Sequence, residues 1–89
     1  MNTQQVNKVT VGTLENITDE VYMEYNVNSR PPGKLWGLMV LDIARRILNA
    51  EGLVESITPA DLEQLTEDNN HTGRQAAEIA IKLYTMNTL

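Results

Sequence analysis

The stretch Lys34–Glu51, KLWGLMVLDIARRILNAE, decides the fold because it is too apolar for the surface of a small protein. On a helical wheel of 100° per residue, its apolar side chains spread over an arc of about 200°. A surface helix needs an apolar stripe of only about 100°. The stretch is therefore predicted to be a central helix that is covered on two or more sides. The side chains of this arc are Trp36, Met39, Val40, Leu41, Ile43, Ala44, Ile47 and Leu48.

The remaining strip of this helix is polar, except for two leucines near its start. It contains Lys34, Leu35, Leu38, Asp42, Arg45, Arg46 and Asn49. Pro31 and Pro32 lie before the helix and favour an extended chain there. Gly52 suits the position just after a helix, where the backbone takes a positive φ. The predicted central helix therefore spans residues 34–51.

Capping signals predict two further helices after the central one. Thr58 is placed to cap a helix, with Pro59 at its first position and Asp61 at its third. Thr72 and Gln75 have the spacing of a capping box. These signals predict helices at 59–67 and 73–87, and the second helix presents a mostly apolar face from Ala76 to Met86.

The N-terminal third of the chain has two interpretations. Leu14, Ile17, Val21 and Tyr25 recur at helical spacing, and Thr13 precedes them as a cap, so a helix at 14–25 is predicted. Val21, Met23, Tyr25 and Val27 also alternate along a segment rich in strand-favouring residues, which allows a hairpin over 6–27. The favoured fold is an all-α four-helix bundle, with residues 1–12 flexible or extended and 13–89 a single helical domain. The alternative is an α+β fold with the N-terminal hairpin.

Composition excludes several classes of function. The 89 residues include no cysteine and one histidine, His71, and no nucleophile, phosphate-loop or metalloprotease motif occurs. We therefore predict a non-enzymatic protein without catalytic, cofactor-binding or metal-binding residues. The apolar stretch is interrupted by Asp42 and Arg45 and is too short to span a bilayer. The N-terminus lacks the features of a signal peptide, so a cytoplasmic protein is expected.

The wide apolar arc predicts a protein-binding function, since the other helices offer too little apolar surface to cover it. We expect a homodimer formed through the helix at 34–50. It would serve as a regulator, adaptor or inhibitor, of the kind common among small bacterial and phage proteins. The candidate interface consists of Trp36, Met39, Val40, Ile43, Arg45, Arg46 and Ile47.

Two alternatives involve nucleic acids. No basic residue lies between Arg46 and Arg74, and the acidic segment 51–68 is a candidate DNA mimic that would inhibit a nucleic-acid-binding protein. Its candidate acidic surface consists of Glu51, Glu55, Asp61, Glu63, Glu67 and Asp68. Residues 58–86 have the outline of a helix-turn-helix, which would place Arg74 and Gln75 in a major groove. The net charge of −5 makes direct nucleic-acid binding the less favoured function.

The segment 66–84, TEDNNHTGRQAAEIAIKLY, resembles the helical lid of AAA+ ATPases. In that lid a Gly-Arg pair opens a helix and the arginine meets the nucleotide. The resemblance implies these positions for Gly73 and Arg74. No phosphate-binding loop precedes the segment, so no ATPase activity is predicted.

Overall fold

Five helices form the part of the chain that this computed structural model describes, residues 5–87. They are α1 (Lys8–Glu24), α2 (Lys34–Asn49), α3 (Leu53–Ser56), α4 (Pro59–Glu67) and α5 (His71–Asn87). The structure is 76% helical, and no strand occurs among the described residues. The predicted all-α bundle is therefore confirmed. None of the five helices has the length and apolarity that crossing a bilayer requires.

The helices α2 and α5 form the centre of the bundle and run in the same direction. Their starts are joined by a hydrogen bond of 2.9 Å from Trp36 Nε1 to Thr72 Oγ1. At the other end α3, which follows α2, packs against α5. Small side chains on α5 allow the two helices to approach closely, since Ala76, Ala77 and Ala80 are fully buried. The remaining core residues are Val11, Leu14, Val21, Met39, Val40, Ile43, Ala44, Ile47, Leu53, Val54 and Leu65.

The first helix begins six residues earlier than the predicted start at Leu14. Its cap is Asn7, whose Oδ1 accepts hydrogen bonds from the backbone N–H groups of Val9 and Thr10. Thr13 lies inside the helix, where its hydroxyl donates to the Val9 carbonyl at 2.8 Å. The alternative hairpin over 6–27 is therefore wrong, and residues 8–12 of the segment predicted to be flexible or extended are helical. Residues 1–4 of that segment lie outside the described residues.

The central helix ends at Asn49, two residues before the predicted end. Gly52 has the expected positive φ of 77°, but it precedes the one-turn helix α3 instead of closing α2. The sequence pattern did not predict α3, which is too short to show a helical period. Its Leu53 and Val54 are both buried against the core.

The start of α4 agrees with the prediction, and the start of α5 does not. In α4 the Thr58 hydroxyl and the Asp61 backbone N–H are 3.2 Å apart, and the Asp61 carboxylate accepts from the Thr58 N–H at 2.9 Å. In α5 the cap is Asn70, whose Oδ1 accepts from the Gly73 N–H at 2.8 Å. The predicted capping box starting at Thr72 is wrong because that hydroxyl is engaged with side chains of other helices.

Candidate protein-binding face

Four of the seven residues predicted to form a protein interface lie in the core of their own chain. Met39, Ile43 and Ile47 are fully buried, and Val40 is only 3% exposed. A side chain without exposed surface cannot contact a partner of the folded protein. Met39, Ile43 and Ile47 are therefore removed from the candidate interface, and Val40 keeps only a small exposed part.

The sequence pattern overestimated how much apolar surface of α2 is left uncovered, because it did not predict the first turn of α1 or the helix α3. The early start of α1 adds the buried Val11, and the unpredicted helix α3 adds Leu53 and Val54. These side chains belong to the same buried core as those of α2, so the core contains more apolar cover than the predicted helices alone supply.

Uncovered apolar surface remains on a different side of α2, where it meets α5. We define the α2–α5 face by its side chains Leu38, Leu41, Ile79, Leu83 and Met86. Leu38 is 58% exposed, Leu41 52% and Met86 68%. Ile79, Leu83 and Met86 follow one another at spacings of four and three, so they share one side of α5. Four of the seven exposed large apolar side chains among residues 5–87 lie on this face.

A shallow groove of about 490 Å³ runs along the first half of the α2–α5 face. Leu38 and Leu41 line one side, and Gln75 and Ile79 line the other. Trp36 and Val40 also contribute to its lining. The surface is therefore concave as well as apolar, which is the shape that ligand and peptide sites share.

Trp36, another of the residues predicted for the interface, is anchored by contacts with Thr72 and Arg30. It is half-buried, and its indole N–H donates to Thr72 Oγ1. The hydroxyl of Tyr22 also hydrogen-bonds Thr72 Oγ1, at 2.8 Å, so α1, α2 and α5 meet at this threonine. The Arg30 guanidinium lies 4.1 Å from the centroid of the indole ring, within range of a cation–π interaction. The ring is thus held in place and still lines the groove.

Three basic side chains border the α2–α5 face. Lys34 lines the groove, Arg45 follows Leu41 by one helical turn, and Lys82 lies between Ile79 and Met86 on the surface of α5. All three are exposed, and none forms an ion pair with an acidic residue of the described chain. Glu78, which lies four residues before Lys82, pairs instead with Arg74 at 3.4 Å.

The other arginine of the predicted interface, Arg46, has a different role. Its guanidinium hydrogen-bonds both oxygens of Glu24 on α1, and its Nε lies 3.1 Å from Asp42 Oδ1. These bonds raise the pKa of Arg46, and the bond from Arg46 lowers the pKa of Glu24. Arg46 therefore joins α2 to α1, and only Arg45 of the predicted pair borders the α2–α5 face.

The predicted acidic surface is exposed except at one position. Glu51, Glu55, Glu63, Glu67 and Asp68 are exposed. Asp61 is fully buried, and its carboxylate accepts backbone N–H groups from Asn7 at 2.7 Å and from Thr58 at 2.9 Å. Asp61 is therefore a structural residue and does not belong to that surface.

A cleft of about 870 Å³ lies between α1 and the turn before α5. Glu15, Asp19 and Asp68 give it an acidic wall. Burial raises the pKa of Glu15, and the hydrogen bond with Asp68 and the charges of Asp68 and Asp19 raise it further. The described residues contain no group of three acidic or histidine side chains that could hold a metal ion. His71 is exposed at the edge of this cleft.

The segment proposed as a helix-turn-helix consists of α4, a three-residue turn and α5. Arg74, its candidate base-contacting residue, hydrogen-bonds Thr66 on α4 and pairs with Glu78. Gln75 is exposed. Gly73, the other half of the lid-like pair, is buried beneath the Asn70 side chain.

One feature of the sequence did indicate the exposed apolar side of α2, namely two leucines in the otherwise polar strip of that helix. Leu35 and Leu38 fall in the polar strip of α2, where an apolar side chain has no core to enter. That misfit marked the exposed side of the helix. The contribution of α5 had no comparable signal, because Ile79, Leu83 and Met86 have the same spacing as its core residues. Comparison of this chain with family models, with curated proteins and with solved structures finds no match.

Proposed function

We propose that this chain is a small, non-enzymatic, cytoplasmic protein-interaction module, which acts as a regulator, adaptor or inhibitor by binding another protein at the α2–α5 face. The observation that carries the proposal is the concentration of exposed apolar side chains on that face. Contiguous apolar surface is rare on monomeric proteins unless it binds something. The other exposed large apolar side chains among residues 5–87 are Val9, Met23 and Leu35, and they lie outside this face.

The partner is either a different protein or a second copy of this chain. A second copy is the homodimer that the sequence predicts, now formed through Leu38 and Leu41 in place of the buried residues. A different protein is favoured by the charges around the face. A homodimer with two-fold symmetry would bring together Lys34, Arg45 and Lys82 from both copies, and like charges across an interface oppose association.

Photo-crosslinking in the cell that makes the protein tests this function directly. A photoreactive phenylalanine analogue is placed at Leu41, and a matched control carries it at Met23, which is 78% exposed on α1. We expect a discrete crosslinked protein from position 41 and none from position 23. Crosslinking to a different protein supports the favoured form, and crosslinking to a second copy supports the homodimer. Absence of a crosslink from position 41, or the same products from both positions, would contradict the proposal.

Nucleic-acid binding by residues 58–86 is the second candidate function. The three-residue turn between α4 and α5 favours it, because helix-turn-helix units use turns of three or four residues. The engagement of Arg74 with Glu78 and Thr66 weighs against it. Retention on immobilised duplex DNA that falls steeply with salt and is lost in Arg74→Ala would establish it. Elution at low salt, unchanged by the substitution, would rule it out.

A further inference from the structure

We propose that the occupant of the α2–α5 face is an amphipathic helix of a different protein, with acidic residues flanking its apolar stripe. This inference rests on the proposed function and specifies the chemistry of the partner. It follows from the charge around the face, from the shape of the face, and from the unfavourable pairing of two such faces.

The charge around the face is opposite in sign to the charge of the whole chain. The protein has 12 acidic and seven basic residues. Two of its arginines, Arg46 and Arg74, are already paired with carboxylates. Of the lysines and arginines in residues 5–87 without such a pair, three border the face. A partner is therefore attracted to this side by its negative charges, while the acidic remainder of the surface repels it.

The shape of the face suits a helix. On α2 the exposed Leu38 and Leu41 are three residues apart, and on α5 a row of apolar side chains, Ile79, Leu83 and Met86, follows at spacings of four and three. The groove lies between the first parts of these two rows. Amphipathic helices bind such grooves through anchors at the same spacings. At 1.5 Å per residue, α2 offers a length of about 24 Å, which is room for about four turns of a bound helix. Within residues 5–87, the α5 side of the groove has one polar side chain, Gln75.

Trp36 provides a direct measurement of occupancy. It is the only tryptophan of the chain, and it lines the groove. A tryptophan-free peptide that binds there will change the environment of the indole and hence its fluorescence. The signal requires no label on the protein.

A peptide library supplies the test. Sixteen-residue helical peptides without tryptophan are displayed with an apolar stripe at spacings of three and four, and each flanking position is randomised between Glu and Lys. After selection on the full chain, we expect Glu to exceed Lys by at least about threefold at the flanking positions, because opposite charges at an interface favour association.

The best binder and its counterpart with every flanking Glu replaced by Lys are then synthesised and titrated, with Trp36 fluorescence as the readout. We expect the acidic peptide to bind at least about tenfold more tightly, with a difference that shrinks at high salt.

Protein variants separate the charge effect from the apolar effect. The triple variant Lys34→Glu, Arg45→Glu, Lys82→Glu should reverse the preference. All three sites are exposed, so we expect the fold to be retained, which circular dichroism checks. Lys8→Glu is the matched control, since Lys8 is exposed at the start of α1 and does not line the groove, and it should keep the acidic preference. Leu41→Asp should abolish the binding of both peptides.

The outcomes distinguish this inference from the proposed function. Equal recovery of Glu and Lys, or equal affinities of the two peptides with binding that still requires Leu41, would overturn the acidic partner and leave the face intact. Failure to recover any binding peptide would also overturn the inference, whatever the crosslinking shows. Binding that Leu41→Asp leaves unchanged would overturn the α2–α5 face itself. A dimer of the chain that dissociates in Leu41→Asp would assign the face to a second copy.

Discussion

A single buried carboxylate joins two helix starts that are far apart in the sequence. Asp61 closes the capping box of α4 with Thr58, and it also accepts the backbone N–H of Asn7, the cap of α1. Backbone N–H groups at a helix start have no partner within the helix, so a carboxylate placed there satisfies them and interacts favourably with the helix dipole. The start of α1 therefore depends on a residue 54 positions away.

Replacing Asp61 should be costly for stability. Asp61→Ala removes the acceptor of two backbone N–H groups and leaves a void, so we expect the free energy of unfolding to fall by about 2–4 kcal/mol. Urea denaturation followed by circular dichroism measures the change. Glu63→Ala, an exposed position on the same helix, should change it by less than about 0.5 kcal/mol. An Asp61→Ala protein as stable as the wild type would show that neither bond matters.

The carboxyl of Glu15 predicts a pH-dependent effect on stability. Its pKa is raised above the ordinary value of 4.5, first by burial and then by Asp68 and Asp19. The folded state therefore holds this proton more tightly than the unfolded state does. The unfavourable contribution is absent below about pH 4.5 and is complete once the pH exceeds the folded pKa.

Glu15→Gln removes that contribution. We expect it to stabilise the protein at pH 7 by about 0.2–1 kcal/mol, the usual size for exposed charge pairs, and to have no stabilising effect at pH 4. Urea denaturation at the two pH values provides the comparison. The control is Glu20→Gln, at an exposed position on α1. An equal gain at both pH values would contradict the assignment to a titrating group.

At the scale of the elements, the start of α5 has a glycine, Gly73, where the side chain of Asn70 leaves little space for a Cβ atom. A Cβ on Gly73 would lie 2.5 Å from Asn70 Nδ2, and the same asparagine caps the helix through the Gly73 N–H. Alanine is favoured over glycine in a helix by about 1 kcal/mol. Here that preference opposes the geometry of the cap.

A double-mutant cycle tests this opposition. Asn70→Ala should cost about 0.5–2 kcal/mol through loss of the cap. Gly73→Ala should be more favourable in the Asn70→Ala background than in the wild type by about 1 kcal/mol, because the obstructing side chain is gone. Thermal and urea denaturation of the four proteins give the coupling. Additive effects would show that the Asn70 side chain moves aside without loss.

The helix starts also show how far the sequence determines the fold. The cap of α4 was predictable because Thr58, Pro59 and Asp61 interact with one another over three residues. The true starts of α1 and α5 also have local caps, Asn7 and Asn70. They were not predictable because contacts with distant groups help to select them over the competing Thr13 and Thr72. Asn7 donates to Asp61, and the hydroxyl of Thr72 is taken by Trp36 and Tyr22. A local sequence pattern cannot show that a capping side chain or backbone group is engaged by a distant residue.

The candidate site was only partly predictable for a similar reason. The sequence correctly indicated that α2 is apolar over a wide arc, but it could not divide the arc into a covered and an uncovered part. That division depends on where α1 begins and on the presence of α3. Trp36 and Arg45 remain at or beside the face, and Leu41, which lay within the predicted arc, became part of it.

At the scale of the whole molecule, the boundary between core and surface crosses α2, and substitution can locate it. Ile43 is fully buried, whereas Leu41 is half exposed two residues earlier. Ile43→Asp should prevent folding, since an uncompensated buried charge costs at least about 3–5 kcal/mol, a large share of the stability of a domain this size. Leu41→Asp should alter the melting temperature little. Circular dichroism of the two variants tests the assignment. A comparable loss of helical structure in both variants would contradict the placement of Leu41 on the surface.

Because α2 and α5 run in the same direction, they favour one chain direction for a helix bound between them. Both amino ends lie at the end of the groove near Trp36 and Thr72, so their partial positive charges reinforce one another there and their carboxyl ends do so at the opposite end. A third helix laid between them is most stable when its own dipole opposes theirs. Its amino terminus should therefore rest beside the final turns of α2 and α5, and a paramagnetic label at that terminus should broaden the nuclear magnetic resonance signals of Met86 and spare those of Gln75.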